Sequence, residues 1–243
     1  MSIPNATRAE ILIEALPHLQ KFEGKTVVIK YGGNAMTDPA LVHGLLQDIA
    51  LLRSVGVRPV VVHGGGPEIN RLLEALHIKS SFHNGLRVTD GATMEAVQMA
   101  LCGKLNKAIT AQLCALGVQA LGLCGIDASL LTCVKHTPAD GADLGYVGEI
   151  TGVNAHLLTL LCQDVFIPVI APVGAGEDGH SYNINADTAA GEIAAALKAE
   201  KLMFLTDIDG VRRDVNDPSS LIPAMTCTQA RAAIAAGIRI ISL

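Results

Sequence analysis

Apolar and polar positions trade places along the chain in two periods. Residues 7–20 set Ile11, Leu12, Ala15, Leu16 and Leu19 on one helical stripe, with Arg8, Glu10 and Glu14 elsewhere. That spacing predicts an amphipathic helix, which Gly24 stops. Thr26-Val27-Val28-Ile29-Lys30 is a short apolar run ending on Tyr31-Gly32-Gly33-Asn34, so a strand is expected to stop at a Gly-Gly turn. Leu41, Leu45, Leu46, Ile49 and Leu52 recur at helical spacing up to Val55, and Gly56 closes that element. Pro59-Val60-Val61-Val62 predicts a second strand running into His63-Gly64-Gly65-Gly66. A helix follows, with Pro67 in its first turn and Ile69, Leu72, Leu73 and Leu76 on one face.

The same trade continues. A helix is predicted over 92–116, a strand over 118–123, a helix over 186–199, a strand over 202–206 and a helix from Thr228 to Ala236. Between 125 and 152, short β-like pieces around Asp140-Gly141 and Gly145-Tyr146-Val147-Gly148 predict hairpins projecting from the main sheet. Residues 167–173 form another apolar strand, whose Pro168 and Pro172 favour an edge or strand-end position. Apolar runs separated by amphipathic helices imply an α/β fold with a mainly parallel sheet. A domain change is expected near residue 175, at Gly174-Ala175-Gly176-Glu177-Asp178-Gly179.

Composition narrows the function. Half of the 243 residues are apolar and 17% charged, a balance that excludes overall disorder. Net charge −5 without a basic run, no Trp and 3% aromatics argue against nucleic-acid binding. Cys102, Cys114, Cys124, Cys133, Cys162 and Cys227 make no C-x-x-C pair, so reduced thiols are expected rather than a metal cage or disulfide frame. With no basic leader and no apolar window near ~20 residues, a soluble, cytoplasmic protein is expected.

The chemistry belongs beyond the carboxyl ends of the parallel strands. Gly64-Gly65-Gly66 before a helix lets backbone approach a ligand, and the N–H groups at the helix start favour an anion. Gly32-Gly33 would offer a second set of donors, with the Lys30 charge beside them. No segment fits the G-x-x-x-x-G-K-[ST] pattern, and Gly174, Gly176 and Gly179 match G-x-G-x-x-G only where Glu177 and Asp178 would repel a pyrophosphate. Arg87, in the polar run 84–90, could fork onto a carboxylate. Asn183-Ile184-Asn185-Ala186-Asp187 opens a helix with more polar groups than a cap needs, and 206–211 is a polar turn after a strand. None of the eight histidines is paired with Cys or carboxylate at ligand spacing, so His63 and the others are expected to be structural or surface residues.

With these residues in view, the chain resembles the acetylglutamate kinases of the amino-acid kinase family from about residue 8 to about residue 238. The matching motifs are residues 28–36, Val62-His63-Gly64-Gly65-Gly66-Pro67, residues 85–90, 183–187 and 206–211. The resemblance implies a three-layer αβα sandwich. It implies residues 1–24 as an N-terminal helix, 25–174 as the acetylglutamate-binding and dimerisation domain, and 175–243 as a partial ATP-binding domain. It implies ATP-dependent phosphorylation of the side-chain carboxylate of N-acetyl-L-glutamate, a step of arginine biosynthesis, with Mg2+ held mainly by the nucleotide phosphates. Lys30 and Asp187 would be catalytic, and Gly65, Gly66, Arg87 and Asn183 would hold the substrate. Gly32, Gly33, Asp207, Ile208, Asp209, Gly210, Val211 and Arg212 would bind phosphate and nucleotide. A homodimer is implied, or a hexamer joined through the N-terminal helix, with arginine inhibition.

One departure counts against a working enzyme. The family carries a Gly-Gly-Met-x-Pro-Lys segment after the helix near residue 230, whose lysine also serves the phosphoryl group. This chain reads Ala236-Gly237-Ile238 and ends at Leu243. The C-terminal part is therefore expected to be truncated, and a catalytically impaired binding or assembly subunit stands as the alternative. A related amino-acid or carbamate kinase is the other.

Overall fold

The computed structural model describes residues 4–36, 38–206, 210–214 and 216–235, apart from the side chains of Asn34, Ala35 and Pro218. The chain falls into two compact units, Met1–Leu205 and Thr206–Leu243. The first unit begins with α1 (Asn5–Phe22), β1 (Thr26–Tyr31), α2 (Pro39–Ser54), β2 (Arg58–His63) and α3 (Gly66–Ala75). A small hairpin, β3 (Phe82–His83) and β4 (Leu86–Arg87), leads to α4 (Gly91–Gln98). A π-helical segment (Met99–Leu105) then runs straight into α5 (Asn106–Ala115). The remainder is β5 (Ala120–Cys124), β6 (Leu131–Lys135), β7 (Gly148–Val153), α6 (Ala155–Asp164), β8 (Ile167–Ala171), β9 (Val173–Gly176), β10 (Ser181–Asn183), α7 (Ala186–Ala196) and β11 (Lys201–Leu205).

Five strands form one parallel sheet in the order β11-β1-β2-β8-β5. Each inner strand is covered on both faces, which is why the sequence shows unbroken apolar runs rather than alternation. On one face Val27, Ile29 and Tyr31 of β1 and Val61 of β2 pack with Leu46 and Ile49 of α2 and Ile109 and Leu113 of α5. On the other, Val28, Val60 and Val62 pack with Leu158 and Cys162 of α6 and Ala189, Ala190 and Ile193 of α7. The result is a three-layer αβα sandwich around a mainly parallel sheet. Each fully buried Leu or Ile in these layers contributes about 1.5–3 kcal/mol. Successive strand residues point to opposite faces. Lys30 therefore shares the α7 side with Val28, and His63 shares the α5 side with Val61.

The structure departs from the sequence reading in two places. The predicted helix 92–116 is α4, the π-helical segment and α5 in series, so one extra residue per turn is inserted where Gly103 weakens the helix. Of the two positions that the prolines of 167–173 favour, the edge one fails and the strand-end one holds: β8 lies between β2 and β5 with every residue buried. Its prolines fit because Pro168 precedes the pairing with β2, which begins at Val169, and Pro172 lies past the strand end. Residues 174–179 belong to the antiparallel β9–β10 hairpin, so the G-x-G-x-x-G match opens no helix, in keeping with its rejection on charge. A second sheet, β10-β9-β6-β7, contains the hairpin expected within 125–152. The cysteines are free, and no helix of the described residues is long and apolar enough to cross a membrane.

In the second unit, Arg212 bridges Leu221 antiparallel, and Ile222 N–H donates to Val211 O at 2.8 Å, ahead of α8 (Cys227–Ala235).

Candidate active site

The two glycine turns meet. β1 and β2 pair in register up to Tyr31↔His63, so their carboxyl ends stop side by side. Gly64 N–H donates to Tyr31 O at 2.7 Å, which ties the second turn to the end of β1. A Cβ built on Gly32 would lie 3.5 Å from Gly64 Cα and 3.0 Å from Lys30 Nζ, and one on Gly64 would lie 3.9 Å from Ala186 Cβ. The two turns, the lysine ammonium and the first residue of α7 thus converge on one spot. Gly33 takes φ +68°, in the left-handed region, and starts a short 3-10 turn (Gly33–Met36). Gly65 needs its missing side chain for a different reason: a Cβ there would come within 2.5 Å of Leu101 Cδ2 and Leu105 Cδ1.

Two helices start at this spot. α3 opens at Gly66, directly after the second turn, with Pro67 in its first turn. α7 opens beside Gly64, capped by Asn185, whose Oδ1 accepts from Asp187 N–H at 2.9 Å and Thr188 N–H at 3.1 Å. Such a cap is worth about 1 kcal/mol. The cap accounts for Asn185 and leaves Asp187 available. Asp187 Oδ1 stands 2.9 Å from Lys30 Nζ and is buried, yet takes no aligned hydrogen bond, so the contact is one of charge. The leading N–H groups of each helix lack intrahelical partners and carry partial positive charge, which favours an anion here.

Arg87 is 7% exposed on β4. Its guanidinium donates to Ser80 Oγ and, at 2.6 Å, to Asn70 Oδ1, and stacks over Phe82 at 4.6 Å from the ring centre. Burial pushes its pKa down from the ordinary value. Asn70 is four residues past Gly66, so Arg87 lies about one helical turn along α3 from the glycine turn. Asn183 ends β10; its Nδ2 donates to Thr89 Oγ1 at 3.1 Å, and that hydroxyl donates to Arg87 O at 2.7 Å. Arg87 and Asn183 are thus joined through buried Thr89 rather than by their own side chains. Glu68, in the first turn of α3, is neutralised by Arg71 at 2.5 Å and Lys104 at 2.9 Å, which hold its carboxyl below the ordinary value.

Among the residues expected to act, Lys30, Gly32, Gly33, Gly65, Gly66 and Asp187 lie together in the first unit, with Arg87 and Asn183 on its flank. Gly210, Val211 and Arg212 belong to the second unit. Asp207, Ile208 and Asp209 lie outside the described residues, as does the chain from Ala236 onward. The sequence reading did not find Asn70, Ser80 or Thr89, whose signals are contacts between distant segments. Nor did it find Asn106, whose one cue is a polar residue inside a long apolar helix pattern. Among the described residues no group of three or more His, Cys, Asp or Glu could hold a metal ion.

The sequence pattern described as the amino acid kinase family matches residues 25–242. The acetylglutamate kinase of Caldicellulosiruptor saccharolyticus is 55% identical over 225 residues, covering 91% of this chain and 76% of its own. N-acetylglutamate synthase from Neisseria gonorrhoeae, solved with coenzyme A and N-acetyl-glutamate, superposes with a TM-score of 0.78 at 28% identity. That match covers 91% of this chain, which spans half the length of the synthase chain. A Streptococcus mutans UA159 protein superposes at 0.74 with 30% identity, covering 88% and 84% of the two chains. This chain belongs to the amino acid kinase family.

Proposed function

We propose that the chain transfers the γ-phosphoryl group of ATP to the side-chain carboxylate of N-acetyl-L-glutamate, a step of arginine biosynthesis. The observation that carries this reading is the placement of the Lys30 ammonium over Gly32, between two glycine turns and the start of α7. An oxyanion-rich group fits there. Similarity to acetylglutamate kinases over most of the chain selects the acceptor.

The chemistry follows. A carboxylate oxygen attacks the γ-phosphorus while the bond to the bridging oxygen of ADP breaks, giving an acyl phosphate and ADP with no proton to move. A carboxylate is already a nucleophile, so the protein supplies alignment and charge rather than a base. Lys30, with the amides of the Gly32-Gly33 and Gly65-Gly66 turns, meets the charge spread over the equatorial oxygens. Asp187 holds the ammonium in place. Arg87 and Asn183 take the α-carboxylate end of the acceptor. Magnesium, held by the nucleotide phosphates, would neutralise part of their charge. Residues 25–174 then carry the acceptor, and 175–243, with Asp207, Ile208, Asp209, Gly210, Val211 and Arg212, the nucleotide. The exposed apolar stripe of α1, Ile11, Leu12 and Leu16, is a surface for a second copy.

A coupled assay of ADP release with N-acetylglutamate, glutamate, aspartate and carbamate offered in parallel tests the acceptor. N-acetylglutamate alone should raise ADP release above background. Equal rates with every acceptor, or none with any, would refute the reading.

A further inference from the structure

Beneath the second turn lies a dry polar pair that the reaction just described does not use. His63, the last residue of β2, is fully buried, and Asn106, the first residue of α5, is 1% exposed. Asn106 Nδ2 faces three acceptors: Val169 O at 2.8 Å, Leu123 O at 3.1 Å and His63 Nε2 at 3.2 Å. Its Oδ1 faces Lys107 Nζ at 3.2 Å. Carbonyl oxygens cannot donate, so the amide nitrogen must be the group turned toward the strand ends. His63 Nδ1 faces Gly64 O at 2.9 Å, a carbonyl that can only accept, so the proton resides on Nδ1; Nε2 is left as an acceptor that shares the two Asn106 amide protons with the nearer carbonyls. Burial pushes the His63 pKa down to about 4, so the ring stays neutral and keeps this single tautomer.

The consequence is geometric. In a planar trans peptide the C=O of Gly64 and the N–H of Gly65 point in opposite directions. With the carbonyl held down toward His63 on the α5 side, the Gly65 N–H must aim up, away from the core. Leu101 and Leu105, both from the π-helical segment, close the space beside Gly65 and keep the peptide from rolling. That segment hands over directly to α5, whose first residue is Asn106. Gly122 of β5 leaves room for Asn106, since a Cβ there would collide with Asn106 Oδ1.

We propose that Asn106 and His63 are positioning residues that aim the Gly65 amide at the transferring phosphoryl group. This rests on the kinase reading above. Neither side chain touches substrate; the Asn106 amide favours the imidazole tautomer, the imidazole holds a peptide plane, and the plane points a donor.

The experiment combines kinetics with nitrogen NMR of the histidine ring on the full chain. His63→Leu keeps the bulk and removes the donor, whereas His63→Asn returns an N–H close to the Nδ1 position. The Leu variant should lose on the order of 10- to 100-fold in kcat while KM for N-acetylglutamate stays within about twofold. The Asn variant should stay within about threefold of the unaltered chain in kcat. In the unaltered chain the His63 spectrum should show a protonated Nδ1 and a bare Nε2. Asn106→Leu removes the donor facing Nε2, so a population with Nε2–H should appear in the spectrum and kcat should fall in the direction seen for His63→Leu. A thermal melt confirms that each variant is folded. Nε2–H in the unaltered chain, or equal losses in the Leu and Asn variants, overturns the proposal. If no acceptor supported turnover in the unaltered chain, the kinase reading would fall, and the tautomer spectrum would still decide whether the turn is held as described.

Discussion

The two glycine turns end adjacent strands and do the same work by opposite means. The first is backed on the α7 side by a charged pair, Lys30 and Asp187, whose side chains keep 14% and 26% exposure. The second is backed on the α5 side by a neutral pair, His63 and Asn106, that is sealed from water. Glycine itself serves differently: Gly33 is required by its positive φ and has open space around it, whereas Gly65 has no unusual φ and no space. A site can thus place a movable charge on one wall and a fixed backbone donor on the other. The fixed donor needs a dry support; the charge needs access to its ligand.

The largest effect should come from the charged wall. Lys30→Met is expected to lower kcat by about 10²–10³-fold, or roughly 2.7–4 kcal/mol of barrier, read in the ADP-release assay. Adding Asp187→Asn to it should restore thermal stability without restoring turnover. Recovery of turnover in the double variant would break the distinction between the walls.

Next is the pH dependence of the dry wall. The folded pKa of His63, about 4, lies below the ordinary 6.5, so the unfolded chain takes up the proton first. Stability from this group is therefore whole above about pH 6.5 and is lost as pH falls to about 4, on the order of 3 kcal/mol in all. Urea midpoints over that range should fall more steeply for the unaltered chain than for His63→Asn. Parallel curves would contradict the dry, neutral ring.

Gly65→Ala forces a methyl against Leu101 and Leu105 and should cost about 1–3 kcal/mol in unfolding free energy. Leu105→Ala in the same chain should relieve part of it, because space is the constraint. Smallest is Gly33→Ala, at about 1 kcal/mol, from a left-handed backbone alone. No second-site truncation should rescue it, and a rescue would show that crowding governs both turns.

Much of this was legible in the sequence because its signals are local. Buried parallel strands announce themselves as apolar runs, and each glycine turn follows its strand directly, so β1, β2 and their turns were readable along with Lys30. Asp187 was readable from the surplus of polar groups at a helix start. What could not be read are relations between distant segments. Asn106 meets His63 across 43 residues and Arg87 meets Asn70 across 17. The π-helical segment escaped because its apolar residues mimic ordinary helical spacing. The interior place of β8 escaped because proline disfavours a central strand only where its missing N–H is needed.

The central claim, that both turns grip one phosphoryl unit, is open to direct measurement through the backbone amides of Gly32, Gly33, Gly65 and Gly66. Their NMR resonances would be followed as MgADP, aluminium fluoride and N-acetylglutamate are added together to mimic the group in transfer. If both turns grip the group, all four move in a single saturable transition. Amides of one turn shifting while the other pair stays still would contradict it.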